Sequence, residues 1–137
     1  MKSLYIDIDG VILSKNKGQG PLGLSLKENA CDFIIWATQN FNCFWLTGWS
    51  VNGDKTMIKQ ALLPFLPKEA KHIKYAIWKD LKTEGIDLTN DQWIWIDDQL
   101  LRNEQKILSE VNMIKNFILV DTNDKSVDSM VEKIKNG

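Results

Sequence analysis

The chain is predicted to fold as an α/β three-layer sandwich around a five-stranded, mostly parallel, doubly wound sheet of the Rossmann-like kind. Three observations predict it. Five short apolar runs recur along the sequence, rich in β-branched and aromatic residues. Between them lie helical or irregular stretches long enough to cross over a sheet. The 137 residues, 44% hydrophobic and 26% charged, can build one core, and no linker marks a second domain within 1–137.

Leu4 to Ile8 reads as the first strand, stopping at an Asp9-Gly10 turn. Residues 14–26 hold three glycines and a proline with no readable period, so they read as a loop. Lys27 to Gln39 spaces Ala30, Phe33, Ile34 and Ala37 at helical intervals. Cys43 to Leu46 is the second strand and ends at Thr47-Gly48. Asp54 can cap a second helix carrying Met57, Ile58, Ala61, Leu62 and Phe65, which Pro64 and Pro67 bring to an end. Lys74 to Trp78 is the third strand, and 79–88 is a charged, irregular connection. In the fourth strand, Trp93 to Ile96, alternation sends the two tryptophans to one face and the two isoleucines to the other. Glu104 to Ile114 has helical spacing, Phe117 to Val120 is the fifth strand, and Ser126 caps a last helix built on Val127, Met130, Val131 and Ile134.

Composition excludes several kinds of function. A net charge of -1 gives no general attraction to nucleic acid or to an anionic membrane. Sixteen of the seventeen Lys and Arg residues are lysine, so recognition by arginine forks is nearly closed off. One histidine, His72, sits in a charged stretch and makes an ordinary zinc site improbable. Cys31 and Cys43 fit no disulfide framework and indicate a reducing compartment. Acid interrupts the first apolar run after three residues, which no signal peptide does, and no run approaches a membrane span. The expected setting is therefore the cytoplasm, with no membrane and no obligate protein partner.

In an open α/β sheet, ligands bind beyond the carboxyl ends of the strands. Here those ends carry Asp7 and Asp9, then Thr47, then Lys79, then Asp97 and Asp98. Asp7 and Asp9 are two residues apart and so point to one side of their strand. Like charges that close raise one another's pKa unless a cation neutralises them. A hard divalent cation such as Mg²⁺, taking oxygen ligands from Asp7 and the Asp97-Asp98 pair, answers that need. Beside Gly48, Trp49 either stacks on a substrate sugar or base or covers the sheet edge.

These residues resemble the haloacid dehalogenase (HAD) superfamily of phosphohydrolases. Its Asp-x-Asp motif after a hydrophobic strand is matched by Tyr5-Ile6-Asp7-Ile8-Asp9-Gly10-Val11, and its strand-ending Thr or Ser by Phe44-Trp45-Leu46-Thr47-Gly48. The lysine it requires is matched by Lys79, directly after the third strand; Lys82 stands three residues further on, and no helix onset separates the two. Its acidic pair is matched by Trp95-Ile96-Asp97-Asp98. The stretches Leu46-Thr47-Gly48-Trp49, Trp78-Lys79 and Trp95-Ile96-Asp97-Asp98 are similar to a subgroup of small bacterial HAD-like proteins, and 14–26 is too short for a large cap domain.

The resemblance implies Asp7 as nucleophile through an aspartyl-phosphate, and Asp9 as the acid that becomes the base. It further implies Thr47 and Lys79 as phosphate-directed catalytic groups, Gly48 and Trp49 as substrate neighbours, and Asp7, Asp9, Asp97 and Asp98 around Mg²⁺. The expected activity is Mg²⁺-dependent hydrolysis of a phosphomonoester on a small molecule or nucleotide. The alternatives are a low-turnover protein that binds a phosphorylated ligand or partner, and a phosphatase or repair component acting on nucleic-acid ends.

Overall fold

A computed structural model describes residues 1–137. Its main sheet contains β1 (Ser3–Ile6), β4 (Asn42–Trp45), β5 (Lys74–Tyr75), β6 (Trp93–Asp97) and β7 (Phe117–Leu119), all parallel, in the order β5-β4-β1-β6-β7. The helices α1 (Ala30–Asn40), α2 (Arg102–Glu110) and α3 (Asp128–Asn136) complete a three-layer α/β sandwich.

Strand alternation creates the layers. On one face Leu4, Ile6, Cys43, Trp45, Ile94 and Ile96 join a core with α1 and α3. On the other, Tyr5, Leu46, Trp93 and Trp95 pack with Leu108 of α2. The tryptophans and isoleucines of β6 thus divide between the faces as their alternation predicts. Aromatic contacts fill the α2 side: Tyr5 stacks on Phe44 at 5.0 Å between centroids, and Trp95 meets Phe117 edge-on at 4.8 Å.

Five local expectations are corrected. Residues 14–26 are largely an antiparallel ribbon, β2 (Leu13–Lys17) with β3 (Leu24–Leu26), closed through a 3-10 turn at Pro21–Gly23. Beyond Leu13 the residues of β2 are not buried, so no hydrophobic period announces it. The helix expected from Lys27 begins at Ala30, because Asn29 takes a left-handed φ of 67° and the Lys27 amide bonds to Ile12 O instead. The helix expected from Asp54 has the predicted cap, Asp54 Oδ1 accepting from the Thr56 amide at 3.0 Å. It continues as a π turn at Ile58–Leu62 and a 3-10 turn at Leu63–Phe65, since Pro64 has no N–H to sustain a regular helix. The third strand pairs only through Lys74 and Tyr75, at the edge of the sheet, and Ile77 turns outward, 72% exposed. The predicted Glu104–Ile114 helix ends at Glu110, where Asn112 takes a φ of 58°. No helix is long and apolar enough to cross a membrane.

Candidate metal centre

β1 is the middle strand, so whatever follows it lies between the ends of β4 and β6. The Asp7 amide continues the pairing by donating to Ile96 O at 3.2 Å. That register sets Asp7 beside Asp97, the last residue of β6. Both carboxylates are buried, at 5% and 1% exposure. One oxygen each from Asp7, Asp97 and Asp98 lie within 4.8 Å of one another.

A single ammonium enters this group, and it belongs to Lys82. Its Nζ lies 2.7 Å from Asp97 Oδ2 and 3.4 Å from Asp7 Oδ1, and these are the only salt bridges in the molecule. Lys79 does not enter. Its side chain is exposed, and its amide donates to Glu84 Oε1 at 3.0 Å. The reason is tertiary: Glu84 gathers the amides of Lys79, Asp80 and Leu81, while Glu104 Oε2 accepts from the Lys82 amide at 2.9 Å. The connection turns back on itself there, and the fourth residue of the turn faces the carboxylates.

The electrostatics follow from this crowding. Burial pushes Asp7 up despite Lys82. Burial, and then the Asp7 charge, push Asp97 up to about 8. Burial draws Lys82 down, but the Asp7 and Asp97 carboxylates outweigh it and leave the ammonium above its ordinary value. Asp7 and Asp97 share one ammonium with Asp98 beside them, and the surplus negative charge is held at a cost that a divalent cation would relieve.

The surroundings fit such an ion. The donors are all carboxylate oxygens, the choice of a hard cation. Gly10 has a φ of 76°, and a Cβ there would lie 2.2 Å from Asp98 Oδ2 and 2.5 Å from Thr122 Oγ1. That buried Thr122 hydroxyl has no hydrogen-bond partner, a polar group left over beside the acids. Lys27, 3% exposed, ties this end together by donating to Gly10 O at 2.7 Å and Asp121 O at 3.0 Å. Neither Thr122 nor Lys27 was marked by any spacing in the sequence. Asp121 caps its own turn, its Oδ1 accepting from the Asn123 amide at 2.9 Å.

The remaining expected residues fall around the cluster. The Asp9 carboxylate lies outside the group of three; Asp9 is exposed, and its Oδ2 accepts from the Trp49 indole Nε1 at 3.1 Å. Trp49 is only 7% exposed and belongs to the core, so it holds Asp9 rather than offering a face for stacking. Thr47 is fully buried at the end of β4; its Oγ1 accepts from the Trp49 amide at 3.2 Å, which leaves the hydroxyl proton free to donate elsewhere. Its carbonyl accepts from Trp78 Nε1 at 3.1 Å. Gly48 is exposed, with open space where a side chain would stand.

No protein-family model matches the chain, and no curated protein matches its sequence. Fold and site therefore define it to this level: a Rossmann-like α/β protein whose central strand ends in a buried acidic cluster able to hold a metal ion. Such a cluster is consistent with a catalytic or ligand-binding site, and with HAD-like hydrolases among others.

Proposed function

We propose that the protein is a cation-dependent phosphomonoester hydrolase of the HAD type, acting through Asp7. The observation that supports this most is the Lys82 ammonium held against both Asp7 and Asp97, with Asp98 beside them. A structural ion pair needs one carboxylate. Two against one lysine and a third beside them, at the end of the central strand, suit a site that takes up further positive charge and then a phosphate.

Asp7, Asp97 and Asp98 would hold Mg²⁺, which when bound offsets the charge of the carboxylates and of the phosphoryl oxygens. The chain supplies the rest. An Asp7 oxygen attacks phosphorus, and the bond from phosphorus to the ester oxygen breaks. Asp9 donates a proton to that departing oxygen, giving an alcohol and an aspartyl-phosphate. Asp9 then takes a proton from water, whose oxygen attacks the same phosphorus, releasing orthophosphate and restoring Asp7. Lys82 stabilises the charge on nucleophile and phosphate, and the free Thr47 hydroxyl proton orients a phosphoryl oxygen. The Trp49 bond fixes one oxygen of Asp9 and leaves the other for proton transfer. The proposed substrates are phosphorylated small molecules or nucleotides.

The test is phosphate release from an aryl phosphate by the purified chain. Activity should require Mg²⁺, vanish with EDTA, and fall by roughly a thousandfold or more in Asp7→Asn. Ordinary rates in that variant would exclude the nucleophile and the reading with it.

A further inference from the structure

Away from the acidic cluster, the edge strand β5 borders a groove of about 660 Å³. Lys55, Lys59, Lys71 and Lys74 line it together with His72 and Tyr75, and no acidic residue does. The lysines come from different parts of the chain: Lys55 just before the 56–65 helical segment and Lys59 within it, Lys71 in the 3-10 turn at Lys68–His72, and Lys74 in β5. All four lysines are exposed, and none makes a salt bridge. The nearest acids along the chain, Asp54 and Glu69, stand outside the lining. In a molecule of net charge -1, four ammonium groups without an acidic partner on one concave surface form a local positive field.

The chemistry of the lining narrows what would fill it. Lysine is a point charge without the planar fork that reads carboxylates or base edges, so it suits phosphate oxygens taken without further discrimination. Nucleic acid bound in a groove ordinarily stacks its bases on free aromatic faces. The aromatic faces at this edge are taken: Lys55 Nζ lies 5.2 Å from the Tyr75 ring centroid and Lys74 Nζ 5.7 Å from that of Phe44. Phosphates without bases fit this surface better.

We propose that the β5 groove binds a linear condensed phosphate chain, inorganic polyphosphate being the simplest. The site is separate from the Asp7 cluster and does not depend on the activity proposed there.

Binding of short-chain inorganic polyphosphate to the 137-residue chain, followed by calorimetry at two salt concentrations, tests this. A variant with Lys55, Lys59, Lys71 and Lys74 all changed to Gln should bind at least about tenfold more weakly and show a shallower salt dependence. A control variant with Lys15, Lys17, Lys106 and Lys125 changed to Gln carries the same net charge and should bind within about twofold of the parent. Asp7→Asn should bind as the parent does, which separates failure here from failure of the phosphatase reading. Equal loss in both quadruple variants would reduce the groove to general charge and overturn the proposal. So would an oligothymidylate of equal phosphate number binding as tightly, because the ligand would then be single-stranded nucleic acid. Thermal unfolding of each variant shows that the comparison is between folded proteins.

Discussion

Two lysines three positions apart have different fates, and the difference is not in the lysines. Lys82 is drawn inward because two glutamates hold the backbone around it, whereas Lys79 is left in solvent. Replacing Lys82 with Met should lower kcat by about a hundredfold or more, since a charge aimed at the reacting group is lost. Lys79→Met should stay within about twofold of the parent by the same assay. Equal loss in the two would return the role to Lys79. Trp49 gives a second expectation at this scale. Its indole makes the one hydrogen bond to the Asp9 carboxylate, so Trp49→Phe keeps most of the packing and loses the tether. We expect kcat to drop by about tenfold with KM within about twofold, the pattern of a group misplaced in the transition state. A rise in KM at unchanged kcat would instead make Trp49 a substrate contact.

At the scale of elements, α2 does more than cover the sheet. Glu104, in its first turn and 2% exposed, accepts from the Leu101 amide at 3.0 Å and from the Lys82 amide at 2.9 Å. One carboxylate therefore caps a helix and fixes the lysine-bearing loop. Glu104→Ala would leave both donors without partners, and we expect a loss of about 2–3 kcal/mol in urea unfolding, with reduced phosphate release. A stability change under about 0.5 kcal/mol would show that water replaces the carboxylate freely. The strands were legible because their pattern is local: the alternation of Trp93-Ile94-Trp95-Ile96 is visible without any partner. The β2–β3 ribbon, the π turn after Met57 and the inward lysine were not, because each depends on what it touches. Leu24 and Leu26 pack on a core that their own spacing cannot reveal. Glu104 lies 22 residues from the amide it secures, and nothing around Lys79 or Lys82 announces it. The acids of the site were legible as strand ends; the lysine among them was not.

For the molecule as a whole, the acidic cluster links folding to pH. Asp97 titrates near 8 in the fold, against about 3.9 in an unfolded chain. Between those values the native protein holds a proton that the unfolded chain has released. Its stabilising contribution is therefore complete below about pH 4 and is lost as pH rises through about 8. A cation bound at Asp97 would take the proton's place and keep the carboxylate ionised. We accordingly expect millimolar Mg²⁺ to raise Tm more at pH 8.5 than at pH 5.5, measured by calorimetry with EDTA as the reference. An equal gain at both values would mean that the cation does not bind at Asp97.

The strand order also bears on how the chain is made. Of the five sheet strands β1 is made first, yet its two neighbours are β4 and β6, so one of its flanks has no partner until Trp93–Asp97 has been translated. Until then the ribosome carries an apolar segment with bare amides and carbonyls along one side, which is the kind of surface that attracts chaperones and sticks to other nascent chains.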